Sequence, residues 1–266
     1  MIPVKSRDNT KIKILRKLRS RKFREQSGLC YVEGIRQVYS AFEEGFHFEF
    51  LIVSSDLLRS EHAWKLVNDL ISNGVQVIDV DQNIFKSISL RDNPQGIAGV
   101  VRQKWHSLES IDPREGLCLL ALKAVQDPGN IGSILRTADA VGVRYVILLG
   151  DSVDPYDPNS VRAGAGATFT VKLIKTSFER LLDWKNIHQI PVIGAVGGAP
   201  LNYSRVNYPY PCILLMGSER QGLDLREQSS CDMLVSVPMV GKVDSLNLAV
   251  ATSVILYEIF DQRSRL

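Results

Sequence analysis

The sequence predicts a two-domain α/β protein: a smaller α/β unit followed by a parallel sheet covered by helices on both faces. Three observations predict it. Continuous apolar runs alternate with segments of helical spacing along the second half, the pattern of strands buried on both sides of a parallel sheet. The length of 266 residues suits two domains better than one, at roughly 100–200 residues per domain. The polar stretch KWHSLESIDPREG, with Pro113 and Gly116 near its end, reads as a linker over 104–116 between domains at 1–103 and 117–266.

Taken in order, residues 1–24 hold ten Lys or Arg against one acid, Asp8, a net of +9, while the remainder carries −6. The overall +3 therefore hides a basic arm, the best electrostatic candidate for contact with a phosphate-bearing polyanion, with a solvated helix face as the bland alternative. FEFLIVSS (48–55), GVQVIDV (74–80) and GIAGVV (96–101) read as strands, and LLRSEHAWKLVNDLIS (57–72) has helical spacing. Beyond the linker, strands are expected at 117–125, 144–150, 169–174, 191–196, 211–217 and 233–239. The closing helix is apolar almost all round, so it must be buried against its own domain and against something else, a second subunit or a deep core.

Several classes are excluded. No run approaches the ~18–20 apolar residues of a membrane span, and the N-terminus lacks the apolar stretch of a signal peptide. The arm is Arg-rich but poor in Ser, so a cytoplasmic protein is expected, with an organellar one as the alternative. Cys30, Cys118, Cys212 and Cys231 are scattered, giving neither a disulfide framework nor a metal cluster. Neither a P-loop nor a G-x-G-x-x-G after a strand is present, which argues against a dinucleotide-dependent dehydrogenase. None of His47, His62, His106 and His188 falls in a candidate loop.

In a parallel sheet, ligands bind where loops leave the carboxyl ends of strands. Three such loops carry chemistry. QDPGNIGSILRTADAVG (126–142) opens a helix near Ile131, with Asn130 as its expected N-cap, Arg136 one and a half turns in and Asp139 at i+3. LLMGSERQGL (214–223) places Glu219 between Gly217 and Gly222. SVPMVGKVDSLNLAVATSVILYEIF (236–260) is strand, loop and helix. Singly, a capped helix with an Arg136–Asp139 surface pair and a turn with a solvated Glu219 account for them.

Together and in this order, DPGNIGSILRTADAVG, MGSERQGL and VPMVGKVDSLNLAVA resemble the three motifs of the SpoU (TrmH-like) RNA ribose 2′-O-methyltransferases of the SPOUT superfamily. LRKLRSRKFREQSGLCYVEGIRQV (15–38) and NPQGIAGVV (93–101) are similar to the substrate-binding domain that many members carry. The resemblance implies a C-terminal α/β knot, a deep trefoil, behind a smaller N-terminal α/β substrate-binding domain like ribosomal protein L30e. It implies a homodimer with active sites at the interface, S-adenosylmethionine as cofactor, and RNA, foremost 23S-type rRNA, as partner. It implies neither a metal nor a membrane as partner. The cofactor positions it implies are Gly217, Val237, Met239 and Leu246; the catalytic ones are Asn130, Arg136, Glu219, Ser245 and Asn247. Ser245 and Asn247 also suit a capping role. Arg220, Asp244 and Ala249 depart from the family's usual residues. Two alternatives share the fold: the same reaction on tRNA, and a non-catalytic RNA-binding or ribosome-assembly protein.

Overall fold

In the computed structural model, which describes residues 1–265, the chain forms two compact units. The first comprises Met1–Lys104 together with Asp154–Thr170; the second comprises Trp105–Val153 and the chain from Val171 onward.

The first unit runs β1 (Ile2–Val4), α1 (Thr10–Lys17), α2 (Arg21–Ser27), β2 (Leu29–Glu33), α3 (Ile35–Glu43), β3 (Phe48–Val53), α4 (Glu61–Ser72), β4 (Val77–Val80), α5 (Gln82–Ile88) and β5 (Ile97–Arg102). Its sheet has the order β1-β4-β3-β5-β2, with β5 antiparallel to both neighbours. The basic arm is part of this fold. Its strand β1 pairs in parallel with β4, Ile2 opposite Ile78, and Ile12, Leu15 and Leu18 enter the core with Ile84 and Phe85. A run this rich in Lys and Arg reads as a solvated tail, but apolar residues at helical spacing bury one face of it. The last cation, Arg24, is 1% exposed. Its guanidinium donates to Asp154 Oδ2 at 2.6 Å, Asp157 Oδ2 at 2.9 Å, Leu18 O at 2.8 Å and Arg19 O at 3.1 Å.

The second unit begins with a 3-10 turn at Leu108–Ser110, then β6 (Leu119–Lys123), α6 (Pro128–Ala140) and β7 (Tyr145–Leu149). The helices α7 (Pro158–Gly164) and α8 (Ala167–Thr170) belong to the first unit. The chain then resumes with β8 (Lys172–Thr176), α9 (Phe178–His188), β9 (Val192–Ala195), β10 (Leu201–Asn202), β11 (Ile213–Met216), α10 (Leu225–Ser229), β12 (Met233–Ser236) and α11 (Leu248–Ser264). The sheet order is β10-β12-β9-β11-β6-β7-β8, parallel throughout. Leu119, Ile147, Ile174, Val192 and Ile213 form one core with Leu181 and Trp184 of α9. Helix α6 packs on α11, where Thr137 Oγ1 and Ser253 Oγ lie 2.9 Å apart.

Two local differences from the sequence expectation have clear causes. The segment expected as a linker packs with the second unit: Leu108 and Ile111 are buried in its core, and Glu115 accepts from Tyr145 Oη at 2.6 Å and Lys172 Nζ at 2.8 Å. The strand expected over 169–174 begins only at Lys172. Phe169, with high strand propensity, instead lies within the short helix α8, and its ring stacks edge-on against Phe46 with centroids 5.0 Å apart, so packing overrides propensity. Among the described residues, no helix is long and apolar enough to cross a membrane, and the four cysteines are unpaired.

Candidate active site

Strands β6, β11, β9 and β12 are neighbours in the sheet, so the loops leaving their carboxyl ends meet. The first loop corrects one expectation. Asp127, and not Asn130, caps α6: its Oδ1 accepts the Asn130 N–H at 2.8 Å, and Pro128 follows in the first turn. Proline suits that position because its missing N–H would have no partner there anyway. Asn130 thus sits inside the helix with its side chain released for another task. Its Nδ2 donates to Glu219 Oε1 at 2.9 Å, and its Oδ1 accepts from Asn247 Nδ2, also at 2.9 Å.

Glu219 is held from three sides. Besides Asn130, its carboxylate accepts the backbone N–H of Gln126 at 3.1 Å and of Asp127 at 3.3 Å, next to the positive end of the α6 dipole. Burial opposes its charge, but the hydrogen bonds from Asn130 and these backbone groups outweigh that and hold its carboxyl below the usual value. The loop that carries it is tight: Ser218 and Gly222 exchange backbone hydrogen bonds at 3.2 and 3.0 Å. Gly217 makes this possible, since a Cβ there would lie 2.1 Å from the Gly222 carbonyl carbon.

Asn247 is the N-cap of α11, with Oδ1 accepting from Ala249 N at 2.9 Å and Val250 N at 3.3 Å. Ser245 has no capping bond, so the capping role falls to Asn247 alone. The preceding loop, residues 238–246, is exposed and makes no hydrogen bond among the described residues, leaving its backbone donors and acceptors open to a ligand.

These loops enclose a cavity of about 420 Å³, within the size range of small-molecule sites. Gly217, Glu219, Val237, Met239, Ser245, Leu246 and Asn247 line it; Asn130 and Arg136 do not. Its apolar walls, Val196, Met216, Val237, Met239 and Ile255, suit a flat heteroaromatic ring, and the open backbone of 238–246 suits that ring's polar edge. Two further walls complete the cavity. Val196 and Gly197 form one wall and Arg220 another. The strand-exit rule marks Val196, but GAVGG holds no chemistry-bearing side chain because it contributes shape and backbone.

Arg136 stands apart. It lies six residues beyond Asn130, about 9 Å along the helix axis, and is exposed. The described residues hold no group of three or more His, Cys, Asp or Glu placed for a metal ion.

The profile of the SpoU rRNA methylase family matches residues 118–257, spanning all three loops. This chain belongs to that family. A second profile, the MRM3-like substrate binding domain, matches residues 9–99 of this SpoU methylase. It is 30% identical, over 92% of its length and 87% of the relative's, to the 23S rRNA (uridine(2479)-2′-O)-methyltransferase of Streptomyces viridochromogenes. It is 27% identical, over 97% and 99%, to the 23S rRNA (guanosine(2553)-2′-O)-methyltransferase RlmP of Bacillus subtilis. The crystal structure of an AdoMet-bound rRNA methyltransferase from Sinorhizobium meliloti covers 99% of this chain and 98% of its own, with TM-score 0.90 and 31% identity.

Proposed function

We propose that this SpoU methylase transfers a methyl group from S-adenosylmethionine to a ribose 2′-hydroxyl of RNA, with large-subunit rRNA as the substrate. The observation that carries this reading is the bonded chain Asn247–Asn130–Glu219, which ties the three motif loops around the 420 Å³ cavity. Gly217, Val237, Met239 and Leu246 hold the cofactor, chiefly through backbone groups and apolar contact. When bound, it supplies an electrophilic methyl group on a sulfonium centre. Support for rRNA comes from the substrate-binding profile over 9–99 and from the relatives named for 23S rRNA.

The protein's own task is orientation and charge. Displacement at a methyl carbon requires nucleophile and leaving group in line, so positioning supplies much of the rate. A guanidinium stays charged at any working pH and cannot serve as a base. Arg136 therefore steadies the negative charge growing on the 2′-oxygen and grips the neighbouring phosphate with its donor fork, while the proton leaves to water or phosphate. Asn130, Glu219 and Asn247 fix the loops that present the ribose, and Ser245 lies at the cavity rim beside them.

The reading includes a homodimer. Arg136 lies outside its own protomer's cavity, and α11 leaves Val250, Tyr257 and Phe260 exposed, an apolar face that a second copy covers while completing the site. It also includes a deep trefoil knot in the second unit, consistent with β12 pairing with β9 while α11 packs on α6, and residence in the cytoplasm.

The test is to supply methyl-labelled S-adenosylmethionine with separated rRNA and tRNA and map the labelled ribose. Label on large-subunit rRNA supports the reading. Label on tRNA alone replaces the substrate, and failure to bind the cofactor in calorimetry leaves a non-catalytic RNA-binding protein.

A further inference from the structure

The first unit holds a second cavity, of about 800 Å³, between α3 and α4 and bounded by Arg91 and Gln95. It is built around the start of α3, which has no side-chain cap. Gly34, at φ +102°, occupies that start, and a Cβ on it would lie 2.8 Å from Gln37 Oε1, 3.0 Å from Arg91 Nη2 and 3.1 Å from Gln95 Oε1. The missing side chain lets three long polar groups converge there. Gln37 is 5% exposed; with the oxygen and nitrogen of its amide exchanged in position, it donates to Glu33 O at 3.3 Å and accepts from Arg91 Nη2 at 2.9 Å. Gln95 Oε1 accepts the Ile35 N–H at 3.0 Å, so its Nε2 remains a fixed donor without a partner among the described residues.

The walls add charge and an aromatic surface. Arg36 and Lys65 are exposed on facing helices, and with Arg91 they outnumber the two carboxylates of the lining, Glu43 and Asp69; Tyr39, one turn after Arg36, is 51% exposed although it is aromatic. An exposed ring, two flanking cations and an oriented amide donor are the groups that proteins use for an unstacked nucleotide: the ring stacks on the base, the cations take the phosphate, and the amide reads a base edge.

We infer that the α3–α4 cavity is a second RNA subsite that takes one unpaired nucleotide, with the base on Tyr39 and Gln95 and the phosphate between Arg36 and Lys65. This rests on the reading of the chain as an RNA methyltransferase and gives the enzyme a specificity contact outside its methyl-transfer site. A single-stranded target region fits the cavity; a continuous duplex, with its bases stacked, does not enter it.

The experiment measures fluorescence anisotropy of the full-length protein with a labelled twelve-nucleotide oligouridylate and with an RNA duplex of equal length. Tyr39→Ala is expected to weaken single-strand binding about tenfold, as loss of one base stack does, while Tyr39→Phe retains wild-type affinity. Arg36→Gln lowers the salt slope by about 0.7, one phosphate contact on a single strand. Calorimetric affinity for S-adenosylmethionine stays unchanged in all three. Equal single-strand affinity for wild type and Tyr39→Ala, no wild-type binding to the oligomer, or preference for the duplex overturns the subsite. Failure of the proposed function shows separately: the wild-type protein then methylates no RNA, whatever the Tyr39 variants do.

Discussion

Asn130 faces Glu219 with its amide nitrogen and Asn247 with its amide oxygen, both at 2.9 Å. The direction is forced. An ionised carboxylate only accepts, so Asn130 must turn Nδ2 toward it; Oδ1 then faces Asn247, which must answer with Nδ2. The remaining Asn247 oxygen caps α11. One charge on the 217–222 loop thereby sets two amides, one of them 89 residues earlier in sequence and the other at the start of α11.

Asn247→Asp separates the two roles of Asn247. Aspartate caps a helix as well as asparagine does, so the cap survives. The donor to Asn130 is lost and a carboxylate meets its carbonyl oxygen. We expect thermal stability to change by less than about 1 kcal/mol, with methyl transfer reduced at least tenfold. A variant with full activity would show that capping is all Asn247 does.

Glu219 gives a pH dependence with a defined sign. Its folded carboxyl titrates below the usual value, so the ordering it provides is complete above the unfolded glutamate value of about 4.3 and is lost as pH falls through the lower folded value. Activity should show no limb from Glu219 near neutrality and an acid limb only below the ordinary carboxylate range. Glu219→Gln removes that limb and lowers activity at every pH. A Glu219-dependent limb between pH 6 and 8 contradicts the arrangement.

Gly217, Glu219 and Asn247 were legible in the sequence because their chemistry is local: a tight turn, a loop-tip acid, a cap. The contacts between them were not, since Asn130 meets partners 89 and 117 residues away, and the cap expected at Asn130 falls on Asp127, three residues earlier, which caps equally well and has Pro128 behind it. The parallel sheet was legible from its apolar runs. The assignment of Asp154–Thr170 to the first unit was not, because its anchor, Arg24, lies 130 residues from Asp154 and reads as one more cation in a basic run.

Arg24 is therefore expected to matter for stability far more than its neighbours. Removing one partner of a buried ion pair costs about 3–5 kcal/mol, because Asp154, itself 8% exposed, is left charged without its cation. Arg24→Met should lower the denaturant midpoint accordingly. Arg24→Lys should recover only part of it, because an ammonium cannot reach two carboxylates and two carbonyls at once. An unchanged midpoint in Arg24→Met would remove this anchor.

The rest of the arm is expected to act through charge. Deleting residues 1–24 would also remove β1 and the buried Ile12, Leu15 and Leu18, so neutralisation is the cleaner probe. Lys5, Lys17 and Lys22 are exposed; changing all three to Gln should leave the melting temperature in place and flatten the salt dependence of RNA binding by about 0.7–0.9 per lost phosphate contact. An unaltered slope assigns the RNA contact elsewhere.

Arg136 provides the sharpest test of the chemistry. It is exposed on α6, so Arg136→Ala and Arg136→Lys should both fold and both bind S-adenosylmethionine normally. Loss of a donor aimed at a developing oxyanion costs about 10²–10³ in kcat, and we expect that loss in the alanine variant. The lysine variant keeps the charge but loses the fork proposed to span the 2′-oxygen and the phosphate, and it should recover only a small part of the rate. Near-normal turnover with lysine would mean that a point charge suffices. A lysine variant whose rate climbs steeply at high pH, where the wild type stays flat, would instead show that proton removal at this position limits the reaction.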